Sequence, residues 1–199
     1  MILSRRAVMG GVLSVALVAS LTACSGDDLG FTEQPPDGGQ FAGDGSWGVF
    51  EPDQRGAAVE FSGETETGTT LGSAELAGDV AVVNFWYAAC PPCRVEAEDL
   101  ESVWQQYADD GVQFVGVNIY DQVATVESFN AQFGITYPSI LDVSSGSVLA
   151  AFADNVPPQA IPSTLVLDRD GKVAAYILGI ADPGVLGPMI DDVLAESST

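Results

Sequence analysis

The chain of 199 residues has no histidine, and only six lysines and arginines stand against 28 aspartates and glutamates, a formal net charge of −22. Each shortage excludes a class of function. Affinity for nucleic acid rests largely on Lys and Arg displacing counterions from phosphates, so the charge balance counts against nucleic acid as a partner. The same charge is repelled by anionic lipid headgroups. Without imidazole there is no Ser-His-Asp triad, no Cys-His dyad, no HExxH zinc site and no imidazole copper site. Catalysis must run on carboxylates, hydroxyls or thiols. Cysteine is scarce too, at three, and the placement of Cys24, Cys90 and Cys93 carries most of the functional information.

Residues Met1 to Ala23 read as an export signal, with Arg5 and Arg6 as its basic start and an uncharged apolar run from Ala7 to Leu21. That run is shorter than the roughly twenty residues of a membrane-spanning helix. It ends in Leu21-Thr22-Ala23-Cys24, which resembles the lipobox of bacterial lipoproteins. The resemblance implies a lipid on Cys24 and attachment to the outer face of the cytoplasmic membrane. The alternative is an ordinary signal with an incidental cysteine. Ser4-Arg5-Arg6 is also similar to a twin-arginine signal, although two arginines equally suit the general secretory route. Cleavage before Cys24 would remove two of the six basic residues and no acidic one, leaving a still more acidic head for which a covalent lipid is the natural means of retention.

From Cys24 to Gly56 the chain is rich in Gly, Asp, Pro, Gln and Ser, too poor in apolar side chains to offset the entropy of ordering. It reads as a tether spanning roughly 30 Å if flexible. Trp47 to Phe50 could instead add a first strand to the domain that follows. That domain, residues 57–199, is of a size to form one core. Ala58–Phe61 and Thr69–Leu71 read as a hairpin, and the near-continuous apolar run Val80–Tyr87 as a buried central strand. The apolar spacing of Ala97, Leu100, Val103, Trp104 and Tyr107 predicts a helix over Cys93–Ala108. Further elements are expected at Val112–Ile119 (strand), Val123–Phe133 (helix stopped by Gly134), Ser139–Leu141 (strand) and Ser147–Ala153 (a helical turn or two). Thr164–Leu167 and Val173–Leu178 make a hairpin around Asp168-Arg169-Asp170-Gly171, and Gly184–Glu196 a last helix. The fold class is α/β, a mixed central sheet flanked by helices.

Cys90-Pro91-Pro92-Cys93 falls where the central strand ends and the long helix begins. Unpaired backbone N–H groups at a helix N-terminus stabilise a thiolate, and two intervening residues bring the sulphurs within bonding distance. Proline suits a first turn, where its missing N–H costs nothing. Cys90 is therefore expected to attack and Cys93 to resolve the mixed disulfide. A structural bridge would close a loop of only four residues, which stabilises little, and a metal site would have two thiolates and no histidine. Redox exchange through a Cys90–Cys93 disulfide, with neither metal nor cofactor, is the reading left.

Val82-Val83-Asn84-Phe85-Trp86-Tyr87-Ala88-Ala89-Cys90-Pro91-Pro92-Cys93-Arg94-Val95-Glu96 resembles the active-site segment of the TlpA/ResA-type thioredoxin-like oxidoreductases, which are extracytoplasmic and membrane-anchored. The resemblance extends over the whole domain after the tether, including the preceding hairpin, an inserted helix between the second and third core strands, and Ile161-Pro162-Ser163-Thr164. It implies a thioredoxin-like fold and a cis Pro162 that faces the cysteines and pairs with the substrate backbone. Trp86, Pro91, Pro92, Ile161 and Pro162 are expected to touch substrate. Implied partners are exported proteins with disulfides, apocytochrome c among them, and a membrane thiol carrier as electron source.

Glu96 shares the inward stripe of the helix with Leu100 and Trp104, one turn beyond Cys93. Desolvation there would raise its pKa toward neutrality and let it exchange a proton with the resolving thiol. The alternative is a solvated helix glutamate. The family has glutamate at this position, whereas thioredoxin proper places a buried aspartate where this chain has Asn84. The family's proline two residues later is replaced by Glu98, which predicts a straighter helix and more negative charge near the thiols. Reductase and oxidase directions both fit the sequence, as does a non-catalytic binding lipoprotein. A peroxidase is disfavoured because Tyr87 stands where the peroxidatic pattern has threonine.

Overall fold

In chain order the elements are β1 (Gln40–Phe41), β2 (Trp47–Val49), β3 (Ser62–Glu64), β4 (Thr70–Gly72), α1 (Ser73–Leu76), β5 (Ala81–Trp86), α2 (Pro91–Tyr107), β6 (Gln113–Asn118), α3 (Val123–Phe133), β7 (Ser139–Leu141), α4 (Ser147–Ala151), β8 (Ser163–Leu167), β9 (Val173–Leu178) and α5 (Pro183–Ala195). The computed structural model describes residues 40–41, 46–155 and 160–196, all within one compact unit, residues 35–199. The expected export signal, Cys24 and most of the stretch expected to be a tether lie outside the described residues.

Strand β5 is buried at every position, as its Val and aromatic content requires for a strand covered on both faces. It pairs in parallel with β6 and antiparallel with β8, in a sheet of order β1-β2-β9-β8-β5-β6-β7. The two-residue period of β5 sorts its side chains. Val82 joins α2 residues Leu100, Val103 and Tyr107 and α5 residues Leu186, Met189 and Ile190 on one face. Ala81, Val83 and Phe85 join Phe61, Val148 and Phe152 on the other. Asn84 and Trp86, in the register of Val82, therefore face the α2 side. Helix α3 ends at Gly134, whose φ of +71° places it in the left-handed region that favours glycine.

Two expectations need correction. The N-terminal hairpin pairs β3 with β4, in the register Gly63↔Leu71, later than Ala58–Phe61. Val59 and Phe61 are instead buried against the second core cluster, with the Val59 N–H donating to Gly171 C=O at 2.9 Å. Part of the stretch expected to be a tether up to Gly56 is also built into the sheet. Strand β2 pairs antiparallel with β9, Gly48 opposite Tyr176, covering an edge that would otherwise present unpaired backbone groups. Behind it, the Arg55 guanidinium reaches Asp168 Oδ2 at 2.9 Å and Glu196 Oε1 at 2.5 Å. The folded unit thus takes in residues N-terminal to the expected boundary at Ala57. Helix α2 runs without interruption from Pro91 to Tyr107, and Glu98 is exposed on it.

Candidate active site

Helix α2 starts on the thiol pair itself. Cys90 is its N-cap residue, with extended backbone (φ −71°, ψ 115°), and Pro91 and Pro92 fill the first two helical positions. The Cys90 Sγ accepts the Cys93 N–H at 3.2 Å, taking the place that a Ser or Asp oxygen occupies in an ordinary N-cap. The two sulphurs are bonded to each other, with Cα atoms 5.3 Å apart. Both cysteines are buried, at 1% and 2% exposure, among Trp86, Ala97, Val126 and Phe129, with Tyr87, Ala88 and Ile161 packed against them.

The loop entering the helix is held from both sides. The Ala88 N–H donates to Asp121 Oδ2 at 2.6 Å, and its carbonyl accepts from Arg94 Nη1 at 3.2 Å. Arg94 lies over the Phe133 ring, 4.9 Å from its centroid. Asp121 also accepts from Asn118 Nδ2 at 3.0 Å, while Asn118 Oδ1 accepts from the Asp121 N–H at 2.7 Å. The end of β6 and the turn before Cys90 are thereby one hydrogen-bonded piece.

Of the expected substrate contacts, Pro91 is exposed and Pro92 and Ile161 are half-buried. The Ile161–Pro162 peptide bond is cis. Pro162 itself is buried, and its carbonyl accepts the Gly179 N–H at 2.8 Å. Trp86 is buried as well. At 5% exposure it lies beneath the site against Phe129, ring centroids 4.3 Å apart, because its register on β5 turns it inward. Gly116 on β6 is the space it needs, since a Cβ there would stand 2.8 Å from Trp86 Nε1 and 2.2 Å from Ser139 Oγ.

Glu96 is wholly buried. Its Oε1 accepts from Asn84 Nδ2 at 2.9 Å and its Oε2 from the Ala181 N–H at 2.8 Å. Asn84 Nδ2 donates as well to Thr164 Oγ1 at 3.1 Å. Burial pushes the Glu96 carboxyl from its ordinary value near 4.5 up to about 7, against the lowering effect of the two donors. Burial, with the charge of Glu96 second, also drives the Tyr137 hydroxyl up. A cavity of about 10 Å³ is lined by Cys93, Asn84, Asn130, Tyr137 and Ser139 among others. It has room for a single water. Ser139 Oγ and Asn130 Oδ1 have no hydrogen-bond partner among the described residues, so the cavity is polar enough to hold one.

Sequence reasoning passed over Asp121 and Ala181, and treated Asn84 only as a group unable to carry a proton. Asn84 stands as the one polar residue in an apolar strand, which is the signal that it has a partner inside. Asp121 and Ala181 sit in loops, where no periodicity marks them.

A dithiol bonded across the first turn of a helix, beside a cis proline and above a buried carboxylate, on a mixed sheet with helices on both faces, defines a thioredoxin-like thiol-disulfide oxidoreductase. The chain belongs to the Redoxin family, which matches residues 53–194. Among curated proteins it is 26% identical to thiol-disulfide oxidoreductase ResA of Halalkalibacterium halodurans over 69% of this chain and 73% of the relative. It is 29% identical to ResA of Bacillus subtilis, over 61% of this chain and 65% of that one. It is 31% identical to the thiol:disulfide interchange protein HelX of Rhodobacter capsulatus, over 61% and 64%. Among solved structures it resembles a DsbF homologue from Corynebacterium diphtheriae (TM-score 0.66, 29% identity, covering 77% of this chain and 96% of that one). A secreted thiol-disulfide isomerase from Corynebacterium glutamicum gives a TM-score of 0.69 at 25% identity, covering 80% of this chain and 100% of the other.

Proposed function

We propose that the chain is an exported oxidoreductase, held by a lipid on Cys24 at the outer face of a bacterial cytoplasmic membrane, whose Cys90–Cys93 dithiol reduces disulfides in other exported proteins. The observation that carries the direction is the pair of prolines at the first two helical positions. They remove two N–H groups from the helix end and leave the Cys93 N–H as the hydrogen bond to Cys90 Sγ. A thiolate so sparingly stabilised makes the reduced form a good electron donor.

In the forward reaction the Cys90 thiolate attacks a substrate disulfide, forms a mixed disulfide and releases one substrate thiolate. The Cys93 thiolate then attacks the Cys90 sulphur and releases the second, so two electrons pass to the substrate. Glu96, one helical turn beyond Cys93 on α2, takes the Cys93 proton, its carboxyl poised near neutrality for the task. A membrane thiol carrier restores the dithiol. The TlpA/ResA resemblance makes apocytochrome c thiols one substrate class. The reduction potential tests the reading: a value near about −270 mV agrees with a reductase, and one near about −120 mV overturns it.

A second reading, disulfide donation during folding, is favoured by the likeness to a secreted thiol-disulfide isomerase, and the same measurement separates the two. A Cys93→Ser variant expressed in the native host would trap the substrates on Cys90. If Cys90→Ser left every biological role intact, a non-catalytic lipoprotein would replace both readings. Fractionation of a Cys24→Ser variant tests the anchor, because among the described residues no helix is long and apolar enough to cross a membrane. Retention of that variant at the membrane would remove the lipid from the account.

A further inference from the structure

The exposed large hydrophobic residues among the described ones are Val95, Tyr120, Val123 and Ile180, and all four fall at the end of the sheet that carries the dithiol. Val95 follows Cys93 on α2. Tyr120 and Val123 follow the end of β6. Ile180 follows Gly179, whose N–H donates to the Pro162 carbonyl. Tyr120 is the most open, at 74% exposure, and its ring lies 5.8 Å from that of Tyr87, whose carbonyl accepts the Cys90 N–H at 3.1 Å. A mobile loop does not account for this exposure, because the Tyr120 and Asp121 N–H groups both donate to Asn118 Oδ1, at 3.1 and 2.7 Å, and Asp121 is tied to Ala88. An aromatic side chain carried on a hydrogen-bonded turn beside a reactive site, with its ring against that of Tyr87, suits a binding anchor, since little backbone entropy remains to be lost on contact.

Charge decides the occupant. Among the described residues the four basic side chains are all engaged. Arg55 pairs with Asp168 and Glu196, Lys172 with Asp170, Arg169 with the carbonyls of Val193, Leu194 and Glu196, and Arg94 with the Ala88 carbonyl and the Phe133 ring. The surface field is that of a chain with net charge −22, which attracts cations and repels acidic segments. A Lys or Arg side chain satisfies both the field and the apolar rim, with its aliphatic stem on apolar surface and its charged head over an aromatic ring.

We propose that Tyr120, backed by Tyr87, selects polypeptide disulfides whose cysteine is flanked by basic residues. The inference names a substrate class for the oxidoreductase reading and rests on it. The electron balance is that of the parent reaction: the reduced dithiol and one peptide–S–S–peptide molecule give the Cys90–Cys93 disulfide and two peptide thiols.

The test uses two disulfide-linked homodimeric peptides that differ only in having Lys or Glu beside the cysteine, with kcat/KM measured on the reduced protein at low salt. Wild type is expected to favour the Lys peptide, and Tyr120→Ser to cut that preference about fivefold. Tyr120→Phe, which keeps the ring, is expected to retain it. A Tyr120→Ser ratio equal to that of wild type, or a wild type that prefers the Glu peptide or neither, overturns the proposal. Failure of wild type to reduce either peptide or hydroxyethyl disulfide overturns the oxidoreductase reading itself and the proposal with it.

Discussion

The side-chain amide of Asn84 donates a 2.9 Å hydrogen bond to Oε1 of Glu96, joining the central strand to the helix that carries the cysteines. Thioredoxin proper places its buried acid on the strand, and this chain places it on the helix with an amide opposite. The two positions converge on one point in space, so the carboxylate reaches the same interior from the other wall. An amide there donates to the carboxylate without adding a second charge, which keeps the titration of Glu96 single and near neutrality.

That geometry sets the pH profile of exchange. With Glu96 at about 7, the rate of disulfide reduction is expected to show an inflection near neutral pH that Glu96→Gln removes. Asn84→Ala withdraws a donor that favours the carboxylate, so the inflection is expected to move upward. Stopped-flow rates from pH 5 to 9 check both. An unaltered profile in Glu96→Gln would take Glu96 out of the mechanism.

The same shift makes stability depend on pH. The folded-state value lies above the ordinary one near 4.5, so the fold favours protonated Glu96. The contribution is complete below about pH 4.5 and is lost as pH rises through about 7, amounting to about 3 kcal/mol between pH 4 and pH 8. Glu96→Gln cannot ionise, but its NH2 must face either Asn84 Nδ2 or the Ala181 N–H, a mismatch costing about 1–3 kcal/mol at every pH. Urea unfolding is therefore expected to show the variant gaining about 3 kcal/mol relative to wild type on going from pH 4 to pH 8.

The thiol pair and the strand before it were legible from sequence because their signals are local: an apolar run with β-branched residues, two cysteines at a fixed spacing, and prolines that fit a first helical turn. The limits of α3 were legible for the same reason, Gly134 being a clear stop. The facing of Trp86 was not legible, because its neighbours Tyr87 and Ala88 leave the strand and one step of register decides whether a side chain faces the solvent or the helix. Arg55 was hidden because its partner Asp168 lies 113 residues away, in a turn that reads as a complete hairpin without it.

Arg55 yields a stability prediction. Its side chain is 3% exposed, with Asp168 at 11% and Glu196 at 31%, and its Nε donates to the Phe50 carbonyl at 3.2 Å. Arg55→Ala leaves the mostly buried Asp168 carboxylate with its two backbone donors, the Asp170 and Lys172 N–H groups, but no cation, and frees the segment that holds β2 against β9. A fully buried pair broken in this way costs about 3–5 kcal/mol, and the exposure of Glu196 reduces this to about 2 kcal/mol. The melting temperature is expected to fall by about 4–8 °C. Arg55→Lys, which keeps charge but cannot reach both carboxylates in a fork, is expected to fall between the two. Calorimetry of the three proteins checks the order.

Pro92 offers a direct handle on redox direction. As the second residue of α2 it has no N–H to give, so Cys90 Sγ accepts from Cys93 N alone. Pro92→Ala restores a donor at a position from which N-cap side chains are commonly bonded. A hydrogen bond to a charged sulphur contributes about 1.5 kcal/mol, all of it to the thiolate of the reduced form and little to the disulfide. By the two-electron relation this raises the reduction potential by about 30 mV, making the protein a weaker reductant, and lowers the Cys90 pKa by about one unit. Equilibration against glutathione buffers measures the first, and the thiolate absorbance at 240 nm against pH measures the second. If Pro92→Ala moved neither quantity, the sparing stabilisation of Cys90 by the proline-started helix would not be what sets the direction of electron flow.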